Sequence, residues 1–371
     1  MSKQHRVDKP FLVSVVILIV FGFFIFSSAS LGLLARGGEQ YSNVAFSQTF
    51  FGLFLGTIAM VVISRIPFKV WRKYSFWIFL LAVAMTLLVF TSLGFEHAGA
   101  RRWLFIGDFS FQPSEFLKFA FIVYFAALIS AAKEKVGTVK FGLLPFLILI
   151  SIVGAILLAQ PDTDTFAVIL AAGVAIFLIS GGKWRHIVPL LIIAILGLFL
   201  IASVRPYVKQ RIVTFIQPAE NSLSSGYQIQ QSLIAIGSGG VFGRGFGQSV
   251  QKFNFLPEPI SDSIFAVAAE EFGLLGGIAL IFLFLYFAFR GLKIAVRVED
   301  TFGRLMVVGI VILIVAQAYL NIGAMLGVLP LTGIPLPFVS HGGTALMFTL
   351  AEVGIILNVS RYQKLASRDR V

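Results

Sequence analysis

FLVSVVILIVFGFFIFSSASLGLL, residues 11–34, carries no charged side chain in 24 consecutive positions. At about 1.5 Å per residue such a helix crosses the roughly 30 Å hydrocarbon core of a bilayer. The run is too long for the apolar centre of a signal peptide and lacks a cleavage-site pattern, so it reads as a retained first span. Similar runs follow along the chain: the first extends to Ala35, then come Tyr41–Ser64, Tyr74–Phe95, Phe119–Ala132, Phe141–Pro161, Thr165–Gly182, Ile187–Val204, Phe272–Phe289, Leu305–Val339 and Val353–Ser360. Three of them are short only because charges precede them: Glu115 with Lys118, Glu270 with Glu271, and Glu352. Leu305–Val339 is too long for one span and is expected to end near Leu329, where Pro330, Pro335 and Pro337 begin a loop. The expectation is an all-α integral membrane protein, one domain over residues 1–371. It has about ten transmembrane helices and a large extracytoplasmic loop, about 205–262, between helices seven and eight.

Composition agrees. The chain is 58% hydrophobic and 12% charged, where soluble domains carry about 25% charged residues. Forty phenylalanines exceed what a water-soluble core of this size hides, so lipid must solvate part of the surface. No cysteine is present, which excludes disulfides, thiolate metal sites and cysteine nucleophiles. His5, His97, His186 and His341 are scattered without zinc-site spacing.

The formal charge of +12 resembles a nucleic-acid signal, but its distribution gives orientation instead. With the N-terminus inside, 20 of the 29 Lys and Arg residues fall in inside segments, among them Arg65, Lys69, Arg72 and Lys73. That is a positive-inside pattern with both termini cytoplasmic. The elaborate segments, His97–Glu115, Arg205–Asp262 and Pro330–Thr344, then all lie outside, and loops of that kind on one face carry function.

Several outer residues have chemistry open to them. Asp262 stands where the long loop enters the eighth helix; a carboxylate at a water–lipid boundary can be desolvated into a base, and Ser261 or Asp262 can equally cap the helix. Gly237–Gly247 holds six glycines in eleven residues, Gly239 and Gly240 among them. It can cradle a phosphate or make a tight re-entrant turn. Glu115 and Lys118 are three apart on one helix face and can form an ion pair. Arg101 and Arg102 can neutralise a diphosphate or anchor at the interface. Asp162 and Asp164 can N-cap a helix, and Glu270, Glu271 and Glu352 must face the bundle interior.

Taken in order, Arg101-Arg102-Trp103, Phe111-Gln112-Pro113-Ser114-Glu115 with Lys118, Gln160-Pro161-Asp162, Gly226-Tyr227-Gln228 running to Gly240, Leu256-Pro257-Glu258 with Asp262, and Leu329-Pro330-Leu331-Thr332-Gly333 to Phe338 resemble the SEDS family (shape, elongation, division and sporulation). Gln228 and Gln248–Lys252 look more like its FtsW branch than its RodA branch. The chain departs from the family pattern at Asp164, where a glycine is usual, at Ser340-His341, where Ser-Tyr is usual, and at Ile260-Ser261.

The resemblance implies a peptidoglycan glycosyltransferase that polymerises lipid II at the outer leaflet of the bacterial cytoplasmic membrane. It also implies a class B penicillin-binding protein (a transpeptidase) and other divisome proteins as partners, with no nucleic acid. Asp262 takes the place of the family's functional aspartate, and Glu115 with Lys118 that of its Glu/Lys pair in the fourth helix. A sugar hydroxyl is a poor nucleophile, so Asp262 is assigned as base. The leaving diphosphate needs positive charge or a divalent cation such as Mg or Mn. Arg101, Arg102, Arg244 and Lys118 are the candidates for it, and no metal-ligand cluster is evident. Glu258, Gly239, Gly240 and Ser340 complete the expected substrate contacts. The rival readings are a RodA-like elongation polymerase, a lipid II flippase and a non-catalytic scaffold.

Overall fold

A computed structural model describes residues 7–34, 39–97, 100–106, 109–189, 192, 197, 206–217 and 225–363. Among these, eight helices are long and apolar enough to cross a membrane. They are α1 (Lys9–Leu34), α2 (Tyr41–Ile63), α3 (Phe68–Phe90), α4 (Pro113–Gly137), α5 (Val139–Ala159), α9 (Ile264–Arg297), α10 (Thr301–Met325) and α11 (Gly343–Ser360). A shorter apolar helix, α6 (Thr163–Ile179), packs with them. The seventh apolar run, Ile187–Val204, lies almost wholly outside the described residues.

The helices are apolar on all sides, as lipid demands. On α1, Phe11, Val15, Leu18, Gly22, Ile25 and Ala29 are buried at helical spacing, while Val13, Val16, Ile17, Val20 and Phe24 on the other face are exposed yet still hydrophobic. α4, α10 and α11 are the most enclosed and form the centre. The tenth run proves to be the end of an 18-residue helix that tolerates Glu352 because that side chain is buried. α10 stops at Met325, four residues before the expected Leu329, and a loop to Gly342 follows.

The segment after α3 adds a small antiparallel sheet to the helical fold: β1 (Gly94–His97), β2 (Ala100–Ile106) and β3 (Phe109–Phe111), in the order β1-β2-β3. The large loop contains two further helices, α7 (Pro206–Ile216) and α8 (Ser225–Ser238).

α9 is broken. Gly273 has φ 67° and ψ −167°, separating Ile264–Phe272 from the rest. An interrupted helix leaves backbone groups that lipid cannot satisfy, and the glycine-rich run supplies the missing partners. Arg244 and Gly245 donate N–H bonds to the Glu270 and Glu271 carbonyls, each at 3.0 Å, and Leu274 N–H donates to the Gly240 carbonyl at 2.9 Å. The approach requires glycine: Gly243 has φ 82°, and a Cβ there would overlap the Glu271 carbonyl oxygen.

The following strand of loop is held by a buried charge network. Lys252 Nζ lies 2.7 Å from Glu271 Oε1, Ser28 Oγ donates to the same oxygen at 2.6 Å, and Ser249 Oγ donates to Glu270 at 2.6 Å. Lys252→Met strands the Glu271 carboxylate in low dielectric, a loss on the order of 3–5 kcal/mol. It is expected to lower the midpoint of thermal unfolding clearly, and adding Glu271→Gln should recover most of the loss. An unchanged midpoint in the single variant would show that the lysine bears no structural weight.

Asp8 pairs with Arg290 at 2.7 Å, and Val298 bridges to Gln363, so both ends of the described chain meet at one end of the bundle. The sheet, α7, α8 and the loops preceding α9 and α11 gather at the other.

Candidate active site

At that second end a cavity of about 710 Å³ opens between β2, the start of α6, α7, α8 and the loops before α9 and α11. Among the residues on its wall are Arg102, Arg211, Gln228, Glu258, Asp262 and His341.

Asp262 is held in place through its backbone. Asn321 Nδ2 donates to the Asp262 carbonyl at 2.8 Å and to the Ile334 carbonyl at 2.9 Å, tying the two loops to α10. The Ser340 hydroxyl donates to the Ser261 carbonyl, and His341 N–H donates to the Ile260 carbonyl at 2.7 Å. Ser340 thus positions the segment rather than facing the cavity. The capping reading of Asp262 does not hold: Ser263 is the N-cap of α9, without a side-chain cap bond, and the Asp262 carboxylate accepts instead from the Ser261 hydroxyl at 3.1 Å. Burial lifts the Asp262 carboxyl to about 7. The Ser261 bond opposes the shift, the Glu258 and Asp164 carboxylates add to it, and Arg211 opposes it. A carboxyl poised there is half ionised near neutrality, where a general base works best.

The strand geometry divides the two arginines. Successive side chains on a strand point to opposite faces. Arg102 faces the cavity and donates to the carbonyls of Pro161 and Gln160. Arg101 faces outward, half exposed, 3.4 Å from Glu96 on the paired strand. Asp162 caps α6, accepting from Thr165 N–H at 3.4 Å, and burial raises its pKa against the pull of Arg102.

Glu115 and Lys118 form the expected ion pair at 2.9 Å, buried under the site without lining it. Lys118 also donates to Gln317 at 2.8 Å, and Gln317 donates to the Pro335 carbonyl at 2.9 Å. The pair therefore braces the loop that carries Thr332, Gly333 and Ser340. Arg244 is elsewhere: it lies 3.6 Å from Glu270, at the helix break. Gly239 and Gly240 donate their N–H groups to the Ile236 and Gly237 carbonyls, and no glycine of their run lines the cavity. Of the two readings of that run, the re-entrant turn describes its geometry.

Reasoning from residues alone missed Arg211. It sits on α7 in a polar stretch without a motif, and Nη1 meets both carboxylate oxygens of Asp164 at 2.8 and 2.7 Å. His341 is also on the wall. Burial lowers its pKa to about 4, so its ring is neutral at physiological pH, and it stacks on Phe26. Among the described residues no group of three His, Asp or Glu side chains converges as a metal-ligand set.

Known proteins share the sequence and the fold of this chain. A family model described as "Cell cycle protein", covering FtsW, RodA and SpoVE, matches residues 9–365. Stage V sporulation protein E of Bacillus subtilis (strain 168) is 35% identical over 98% of this chain and 99% of its own length. A probable peptidoglycan glycosyltransferase FtsW of Geobacter metallireducens is 37% identical over 98% of this chain and 97% of its own. Among solved structures, a chain of a peptidoglycan synthase complex that coordinates polymerization and crosslinking superposes with a TM-score of 0.75. It is 25% identical and covers 93% of this chain and 98% of that one. A mutant of the rod shape determining protein RodA of Thermus thermophilus gives a TM-score of 0.71 at 25% identity, over 96% and 99% of the two chains. The chain is a multi-pass membrane protein, and it belongs to the FtsW/RodA/SpoVE family of cell cycle proteins.

Proposed function

We propose that this chain is a peptidoglycan glycosyltransferase that polymerises lipid II at the outer leaflet, with an FtsW-like role in cell division. The observation that carries the reading is Asp262: a carboxyl held near neutrality by burial, on the wall of a cavity shared with two arginines. Relatives named as peptidoglycan glycosyltransferases FtsW support it over nearly the whole chain.

The acceptor sugar hydroxyl gives its proton to the Asp262 carboxylate as its oxygen bonds to the anomeric carbon of the donor. The bond from that carbon to the diphosphate oxygen breaks, and the polyprenyl diphosphate leaves with the electron pair. Preorganised positive charge on the cavity wall stabilises the charge that develops on it. A class B penicillin-binding protein would receive the glycan for crosslinking, in line with the synthase complex whose chain this one resembles.

Activity should depend on one ionisation. The base must be deprotonated, so polymerisation is full above pH 7, is half-maximal near it and is lost as pH falls through it. A pH–rate profile flat from pH 6 to 8 would contradict the role of Asp262.

The membrane orientation is equally open to test. Reporter fusions within Asn221–Ser225 are expected to score outside, and fusions after Lys73 inside. An inside signal from Asn221–Ser225 would place the cavity on the wrong face for lipid II polymerisation.

A further inference from the structure

We infer that Arg211, aimed by Asp164, binds the diphosphate of the lipid-linked donor; the inference rests on the glycosyltransferase reading above. Among the described residues, the cavity wall carries two side chains that are cationic at neutral pH, Arg102 and Arg211. Arg102 is engaged by the carbonyls of Gln160 and Pro161. Arg211 Nη2 and Asp262 Oδ2 both stand against Gly333 on that wall, so the guanidinium charge lies beside the reacting centre, where the leaving group's charge must collect.

An arginine beside a catalytic carboxylate could simply pair with it. Such a pair would block the base and pull its pKa down. Asp164 prevents this. It holds Nη1 with both oxygens, and its Oδ2 also accepts the Gly333 N–H at 3.1 Å from the loop on the far wall. One carboxylate thus fixes α6, α7 and the loop before α11 in a single geometry, with 18% of the arginine side chain exposed. The guanidinium suits the task, because its planar fork matches phosphate oxygens better than an ammonium does. Asp164 is a positioning residue, and Arg211 is the group that touches the anion.

The test uses the full chain in detergent with inorganic pyrophosphate as probe, together with steady-state kinetics on lipid II. Arg211→Met is expected to weaken pyrophosphate binding roughly 10- to 100-fold and to raise KM for lipid II by a similar factor. Arg211→Lys keeps the charge without the fork and should weaken binding several-fold, which covers the case in which the methionine variant does not fold. The combined Asp164→Asn/Arg211→Met variant removes both charges, so it should regain stability relative to Arg211→Met while pyrophosphate affinity stays lost. Asp164→Asn alone lets Arg211 swing toward Asp262 and should weaken pyrophosphate binding several-fold although it removes a nearby negative charge; a clasp that does not aim the arginine would leave that affinity unchanged or raised.

Three results would overturn the inference: unchanged pyrophosphate binding in the Arg211 variants, its restoration in the combined variant, or no binding by the unmutated chain. If Arg211 governs pyrophosphate binding but the unmutated chain makes no glycan, the glycosyltransferase reading fails instead.

Discussion

Asp262→Asn is expected to abolish polymerisation, by a factor on the order of 10² or more, while expression, folding and partner binding stay normal. Asparagine keeps the size of the side chain and can still accept from the Ser261 hydroxyl at the present 3.1 Å, so the local structure has no reason to move. What it loses is the ability to take the acceptor's proton. If Asp262 were merely a helix cap, asparagine would serve nearly as well, and the structure already gives the N-cap position to Ser263. The acid limb of the pH profile should vanish with the aspartate. Full activity in the asparagine variant would move the base to Glu258, which shares the cavity, or to Asp162, which is buried at the α6 cap.

The second large effect concerns the buried pair beneath the site. Glu115→Ala or Lys118→Ala leaves one charge unpartnered in low dielectric, a loss on the order of 3–5 kcal/mol each. Both side chains are about 5% exposed and 2.9 Å apart, so solvent screens the interaction little. Each single variant should unfold at lower temperature and lose activity, because Lys118 reaches the cavity loop through Gln317 and the Pro335 carbonyl. The double variant should lose less than the sum of the two. Strict additivity of the unfolding free energies would show that the two residues act independently.

Much of this was legible along the chain, for a physical reason. A span announces itself locally, as a run without charges, and a charge inside such a run must face protein; Glu115 with Lys118, Glu270, Glu271 and Glu352 all do. The pair at i and i+3 needed only helical spacing to be foreseen. Its place at the mouth of a helix, and the resemblance around it, marked Asp262 as the candidate base proposed above. What was not legible depends on contacts far apart in sequence. Arg211 meets Asp164 across 47 positions, and no local pattern joins them. Arg101 and Arg102 look alike until a strand sends them to opposite faces, and the His97–Glu115 segment gave no alternation that marked a strand. The glycine-rich run signals close backbone approach, but its partner could as well be a ligand; that it is the broken α9 follows only from Gly273, 30 residues beyond Gly243.

Glycosyl transfer at this cavity can be watched directly in a reconstituted membrane. The purified chain, with the transpeptidase proposed as its partner, is placed in liposomes with labelled lipid II, and the products are scored for glycan chain length. Strands of many disaccharide units are expected from the unmutated protein and none from Asp262→Asn. Lipid II that crosses the bilayer while no strand forms, in the unmutated protein as in the variant, would contradict that expectation and identify a transporter.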